Sequence, residues 1–309
     1  MHLLRAMLGG NEPHLPELWR RTRAPAAALQ TGMNYRHAFH AGNFADVHKH
    51  LALVAILRHL ARKAAPFAVV DTHAGRALYD LGWEEAVRTG EAAAGIGKLR
   101  DHVAHSQLLA DYLALVRDFG PAKYPGSPLI ATRLLRPQDR LVAIEKHPED
   151  FAGLRQALTP FRNARAIEAD GYLSLTRQLP PQERRGLVLI DPPYEDVDEF
   201  ERLGSTVADA TRKFATGIFL LWYPLKLASR VDALSGELLA AGVTDLMRLT
   251  IDVGRPPDVG EQLSAAGLLL VNPPYQFDVE MRAASDEILP LLARGPGAQS
   301  AVEWLRGPS

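Results

Sequence analysis

Short apolar runs alternate with helical stretches along this chain. PFAVVD (66–71), RLVAIE (140–145), ARAIEAD (164–170), GLVLID (186–191) and TGIFLLWY (216–223) each run into turn or helix-start residues. Runs with no regular polar alternation are strands covered on both faces, so they predict a mostly parallel sheet between two helical layers. DLMRLTIDV (245–253) and GLLLVNPPY (267–275) add two closing strands, giving an expected seven-stranded, doubly wound α/β fold. Ahead of the first strand, NFADVHKHLALVAILRHLARK (43–63) predicts a helix with Asn43 as N-cap, Asp46 in capping-box position and basic residues in its last turn. Val47, Leu51, Val54 and Ala61 share one stripe of this helix; His50 lies on it, whereas Lys49 projects elsewhere.

Between the first two long strands, Tyr79 to Tyr124 exceeds an ordinary crossover, and LRDHVAHSQLLADYLALVRDF (99–119) in its middle reads as helix. A small helical insertion is expected at about 79–124. Residues 1–32 mix Pro with Arg and show no sustained periodicity. They are expected to form a poorly ordered extension to a domain spanning 33–309, with Met33 as the ordinary first residue and a functional basic tail as the rival reading.

An apolar content of 47% and a charged content of 23% over 309 residues suit a well-packed core and argue against global disorder. The absence of Cys removes disulfides, thiolate metal sites and thiol nucleophiles, and suits a reducing compartment, with cytoplasm the expected location. No apolar run approaches the roughly 20 residues of a membrane span. The formal net charge is -1, yet up to Lys63 there are nine Lys/Arg against three Asp/Glu, together with seven of the eleven His. Such a locally basic end suits docking of a polyanion, or simply a solvated face. His37, His40, His48 and His50 lack carboxylate or thiolate partners at ligand spacing, so no metal site is expected.

In an open parallel sheet, ligands sit beyond the carboxyl ends of the strands. The first strand ends Asp71-Thr72-His73-Ala74-Gly75, a small-residue turn that backbone and cofactor can share. Glu145 ends the second, placed to accept from a ribose diol; Asp170-Gly171 ends the third, where an acid can accept from an adenine amine. Each alone is most often a cap or a solvated turn acid; three in succession weaken that reading in favour of a nucleoside-containing cofactor. Ser127-Pro128, read as N-cap and first helical residue, would aim a helix start into the same cleft.

The fourth strand ends Asp191-Pro192-Pro193-Tyr194. Both prolines fix φ, so the loop is rigid and can present a carboxylate, a backbone carbonyl and an aromatic face to a planar amine. Adenine N6 has its lone pair delocalised into the ring, and two acceptors on its hydrogens draw the nitrogen toward the tetrahedral geometry that attack on a methyl sulfonium requires. The negative Asp191 also stabilises the charge developing on nitrogen, while Tyr194 would stack on the base. Asn272-Pro273-Pro274-Tyr275 could do the same but follows the closing strands, so Asp191 is preferred.

MNYRHAFHAGNFADVHKH from Met33, DTHAG, YPGSPLIA, IEKHP, EADGY, RRGLVLIDPPYE, KFATGIFLLWYP and the late VNPPY, in that order, resemble the bacterial 23S ribosomal RNA adenine-N6 methyltransferases of the RlmJ family. The resemblance implies a monomeric, Rossmann-like class I methyltransferase using S-adenosyl-L-methionine. It makes His50, His73, Ser127, Glu145, Asp170, Gly171 and Asp191 cofactor contacts, Asp191 catalytic with Pro192 and Tyr194 in its loop, and Tyr35, His37 and Lys49 part of the RNA-facing surface. The family often has a second Gly where this chain has Ala77, which fits only if φ there is negative. The alternatives are the same chemistry on DNA adenine or a protein glutamine, or a non-catalytic RNA-binding module of the same fold.

Overall fold

The computed structural model describes residues 40–194, 199–255 and 263–307. Helix α1 (Phe44–Ala61) begins where Asn43 Oδ1 accepts from the N–H groups of Ala45 and Asp46, both at 2.9 Å. Asp46 reaches back to the Gly42 N–H at 2.9 Å, one residue beyond the position a standard capping box uses. Every residue of α1 except Arg58 and His59 is buried, so the helix has no solvent face, and a one-sided stripe is a poor description of it.

After α1 come β1 (Ala68–Asp71) and β2 (Leu78–Asp80), then four short helices: α2 (Glu84–Thr89), α3 (Glu91–Ala94), α4 (Ile96–Leu99) and α5 (Gln107–Arg117). Strand β3 (Lys123–Pro125) returns to pair antiparallel with β2. The helix expected across 99–119 is confined to α5, because Glu287 captures the N–H groups of His105 and Ser106 and the His102 ring, holding that segment out of a helix.

The chain continues through α6 (Ser127–Leu134), β4 (Arg140–Glu145), α7 (Pro148–Leu158), β5 (Ala164–Glu168), α8 (Gly171–Leu175), β6 (Gly186–Ile190), α9 (Glu199–Lys213), β7 (Ile218–Pro224), α10 (Ala228–Ala240), β8 (Leu246–Asp252), β9 (Ala265–Val271), α11 (Phe277–Leu292) and β10 (Gln299–Arg306). The main sheet has eight strands rather than seven, in the order β10-β8-β9-β7-β6-β1-β4-β5. The extra strand, β10, pairs antiparallel with β8 at the sheet edge and buries only Val302, so it carries almost no apolar signal and is held chiefly by its backbone ladder.

β5, β4, β1, β6 and β7 are parallel, and β9 alone separates β7 from β8 in antiparallel sense. Hence β8 runs with β7, and both end at the edge where β1, β4, β5 and β6 end. Successive side chains of β1 and β6 divide between two cores: Val69, Leu187 and Leu189 pack in the core that includes α1, while Val70, Val188 and Ile190 join residues of α9 and α10 on the other face. No helix among the described residues is long and apolar enough to cross a membrane, and none of their side chains form a metal-binding group.

Candidate active site

The carboxyl ends of β1, β4, β5 and β6 bring Asp71, His73, Glu145, Asp170 and Asp191 to one edge of the sheet. Asp191 lies just beyond Ile190 and is 17% exposed, and the Lys49 ammonium contacts its Oδ2. The same ammonium donates to Asp46 Oδ1 at 2.8 Å. Burial works against the Lys49 charge, but the two carboxylates, Asp191 first, hold it protonated well above its ordinary value. Lys49, expected to project away from the inward stripe, is therefore 4% exposed and part of the floor of this edge. The reason is that α1 is buried along its length apart from Arg58 and His59, so position 49 has no outer face to project from.

Asp71 is almost fully buried and accepts from Ser127 Oγ at 2.6 Å. Its other oxygen has no partner among the described residues. Burial pushes its carboxyl up to about 7, against the lowering effect of the Ser127 bond. Ser127 is already helical and Gly126 occupies the N-cap position, so the expected one-residue assignment is displaced. The serine hydroxyl serves Asp71 instead of its own helix end.

Glu145 is oriented by two backbone donors, the Gly75 N–H at 2.8 Å and the His147 N–H at 2.7 Å. Asp170 caps α8 through Oδ1, taking the N–H groups of Tyr172 and Leu173, and meets Lys146 through Oδ2 at 3.3 Å. Gly171 allows a close backbone approach: a Cβ there would lie 2.2 Å from the Thr72 carbonyl oxygen. His73 bonds Thr72 Oγ1 at 2.8 Å, and burial lowers its pKa to about 4, leaving it neutral. His50 is buried, with Nδ1 2.7 Å from Oη of Tyr124 on β3, which in turn meets Oη of Tyr112 on α5 at 2.9 Å. Ala77 has φ +69, so the condition under which Ala would fit comfortably is not met.

Tyr194 also has positive φ; its hydroxyl donates to the Trp222 carbonyl at 2.6 Å, and its ring lies 5.9 Å from that of Trp222. Asn272 is at the opposite edge of the sheet, because β9 is antiparallel to β7; its side-chain amide donates to the carbonyls of Ala215 and Gly217. The second Pro-Pro-Tyr sequence thus ends a strand at the wrong edge to share a site with Glu145 or Asp170. Tyr35 and His37 lie outside the described residues. The roles of Asp46 and Asp71 in fixing this edge were not read from the sequence, where Asp46 is a plausible cap and Asp71 an ordinary strand exit; only their shared proximity to Lys49 and Ser127 marks them.

A family model described as "Ribosomal RNA large subunit methyltransferase D, RlmJ" matches residues 64–306. The ribosomal RNA large subunit methyltransferase J of Escherichia coli is 38% identical over 282 residues, covering 88% of this chain and 99% of that protein. The Haemophilus influenzae protein of the same name is 37% identical over 283 residues, with the same coverage. A crystal structure of a Legionella pneumophila protein superimposes with a TM-score of 0.76 at 31% identity, covering 87% of this chain and 98% of that one. An open α/β sheet with acids at four strand ends, and relatives matched over nearly their whole lengths, place this chain in the RlmJ family of ribosomal RNA large subunit methyltransferases.

Proposed function

We propose that this protein methylates the N6 of an adenine in 23S ribosomal RNA, using S-adenosyl-L-methionine. The observation that carries the reading is Asp191: a carboxylate at the tip of β6, anchored by a buried lysine and followed by Pro-Pro-Tyr. RNA as the substrate class rests on the relatives, both of which are named as ribosomal RNA methyltransferases.

The residues at the edge fit the cofactor. Glu145 has each oxygen fixed by one backbone donor and keeps lone pairs for a diol. The backbone beside Gly171 leaves no room for a side chain. Asp71 keeps one buried oxygen without a partner among the described residues. His50, His73, Ser127, Glu145, Asp170 and Gly171 are the residues assigned to hold it. When bound, the cofactor supplies a methyl group carried on a sulfonium.

The protein's own part is to present the acceptor nitrogen. Asp191 accepts one N6 hydrogen, with Lys49 preventing the carboxylate from turning away. The Pro192 carbonyl accepts the other, in a loop whose φ angles the prolines fix. The aspartate charge then stabilises the positive charge that builds on N6, and no reorganisation is needed at the moment of transfer. Tyr194, tethered through its hydroxyl to β7, offers a face for stacking worth roughly 1 to 3 kcal/mol.

The test supplies labelled cofactor with unmethylated ribosomal RNA, DNA or protein. Label is expected in RNA as N6-methyladenine. Asp191→Asn keeps an acceptor but loses the charge, and should lower turnover by about 10²- to 10³-fold while cofactor affinity in calorimetry stays close to that of the unsubstituted protein. Label confined to DNA or protein, or full activity in the Asn variant, would refute the assignment.

A further inference from the structure

Arg294 lies at the same edge as Asp191 but on the opposite side from the acids assigned to the cofactor. In the sheet order, β1, β4 and β5 lie on one side of β6, and β7, β9 and β8 on the other. Arg294 follows α11 and is pinned to the end of β8, its N–H donating to the Val253 carbonyl at 2.6 Å. The turn beneath it is tight: Gly254 has φ +74, and a Cβ there would lie 2.3 Å from the Gly295 carbonyl oxygen. The guanidinium rests on Phe44, 5.5 Å from the ring centroid. Phe44 is the first residue of α1, five before Lys49, or roughly 7.5 Å along the helix axis from the residue that anchors Asp191.

The unusual feature is that two of its donors lack an acceptor among the described residues. Its Nε and Nη2 are shielded from water and have no hydrogen-bond partner among the described residues. Buried donors are nearly always satisfied, so two orphans on one arginine call for a ligand. Glu91 acts on the guanidinium charge from nearby, but its oxygens are hydrogen-bonded elsewhere, one to His40 Nδ1 at 3.0 Å and the other to Asn43 Nδ2 at 2.9 Å. Arg255, exposed just beyond Gly254, adds a second cation to this side.

We propose that Arg294 is a phosphate-binding residue for the substrate strand, taking oxygens of a phosphodiester next to the target nucleotide. The inference rests on the reading that the substrate is RNA. With the cofactor on the β1–β4–β5 side, the acceptor strand must reach Asp191 across β7 and β8, where this guanidinium is fixed on an aromatic face. A planar guanidinium matches the geometry of phosphate oxygens, and its rigid seat sets the register of the backbone while the base enters the Asp191 loop.

The experiment compares the full-length protein with Arg294→Gln and Arg294→Lys, measuring RNA binding across a salt series and methylation kinetics. Because two guanidinium donors have no acceptor among the described residues, both variants should melt close to the unsubstituted protein. Arg294→Gln should bind RNA about 10- to 100-fold more weakly, with a salt slope shallower by about 0.7 to 0.9, a raised KM, an unchanged kcat and unchanged cofactor affinity. Arg294→Lys should recover the slope but only part of the affinity. Unaltered affinity and slope in the Gln variant would overturn the proposal, as would an intact slope beside a fallen kcat. If the unsubstituted protein labels DNA or protein but not RNA, the parent reading fails instead, and the inference with it.

Discussion

Asp71→Asn separates the cost of burying a carboxylate from everything else at the catalytic edge. Asp71 ionises near 3.8 when exposed and at about 7 in the folded chain, first because burial penalises the charged form and also because Asp191 repels it; Ser127, Lys49 and the His73 backbone act in the other direction. Between these two values only the native state binds the proton. The stability this group contributes is therefore complete below about pH 4, is lost as pH rises toward 7, and is constant above. At about 1.4 kcal/mol per pH unit, the whole window amounts to about 4 kcal/mol, most of it lost between pH 5 and pH 8. Asparagine keeps an acceptor for Ser127 Oγ and does not titrate, so any packing cost of the substitution is the same at every pH. Urea unfolding of both proteins at pH 5 and pH 8, without cofactor, reads the difference directly. The variant should gain about 3 kcal/mol on the unsubstituted protein across that interval. A difference that stays constant to within about 0.5 kcal/mol would show that Asp71 is not held protonated by its surroundings, and the reasoning would be wrong.

Two further substitutions test how the edge is built. Lys49→Met leaves Asp46 and Asp191 without their shared cation; removing one member of a buried ion pair costs about 3 to 5 kcal/mol, so the melting temperature should fall, and loss of the Asp191 anchor should lower turnover by about 10²-fold. Melting and turnover like those of the unsubstituted protein would show that the ion pair neither stabilises nor positions. Gly171→Ala drives a Cβ to 2.2 Å from a backbone oxygen of Thr72, forcing the β1 and β5 loops apart. Cofactor affinity in calorimetry should drop about tenfold or more, equivalent to 1.4 kcal/mol, and an unchanged dissociation constant would remove Gly171 from the cofactor site.

Much of this architecture is already written in local order. Continuous apolar strands, the helix between Asn43 and Ala61 and the Asp-Pro-Pro-Tyr exit are all visible one segment at a time, because periodicity, capping and the fixed φ of proline act between near neighbours. β10 leaves little trace in the sequence because an exposed edge strand is held by backbone hydrogen bonds, which nearly any sequence can make. Lys49 was misplaced for a different reason: helical spacing distinguishes an inner face from an outer one only when the helix has an outer face, and α1 is enclosed. The two Pro-Pro-Tyr sequences are nearly indistinguishable as text, and strand direction assigns one to each edge of the sheet. Ala77 would suit a negative φ, yet the loop holds it at +69. The residues thus dictate which segments form strands and helices and which strand ends carry acids. Tertiary structure alone decides that Lys49 locks Asp191, that Asp71 loses its water, and that Arg294 stands beside Phe44 with two donors unmatched among the described residues, since each depends on groups far apart in the chain being excluded from solvent together.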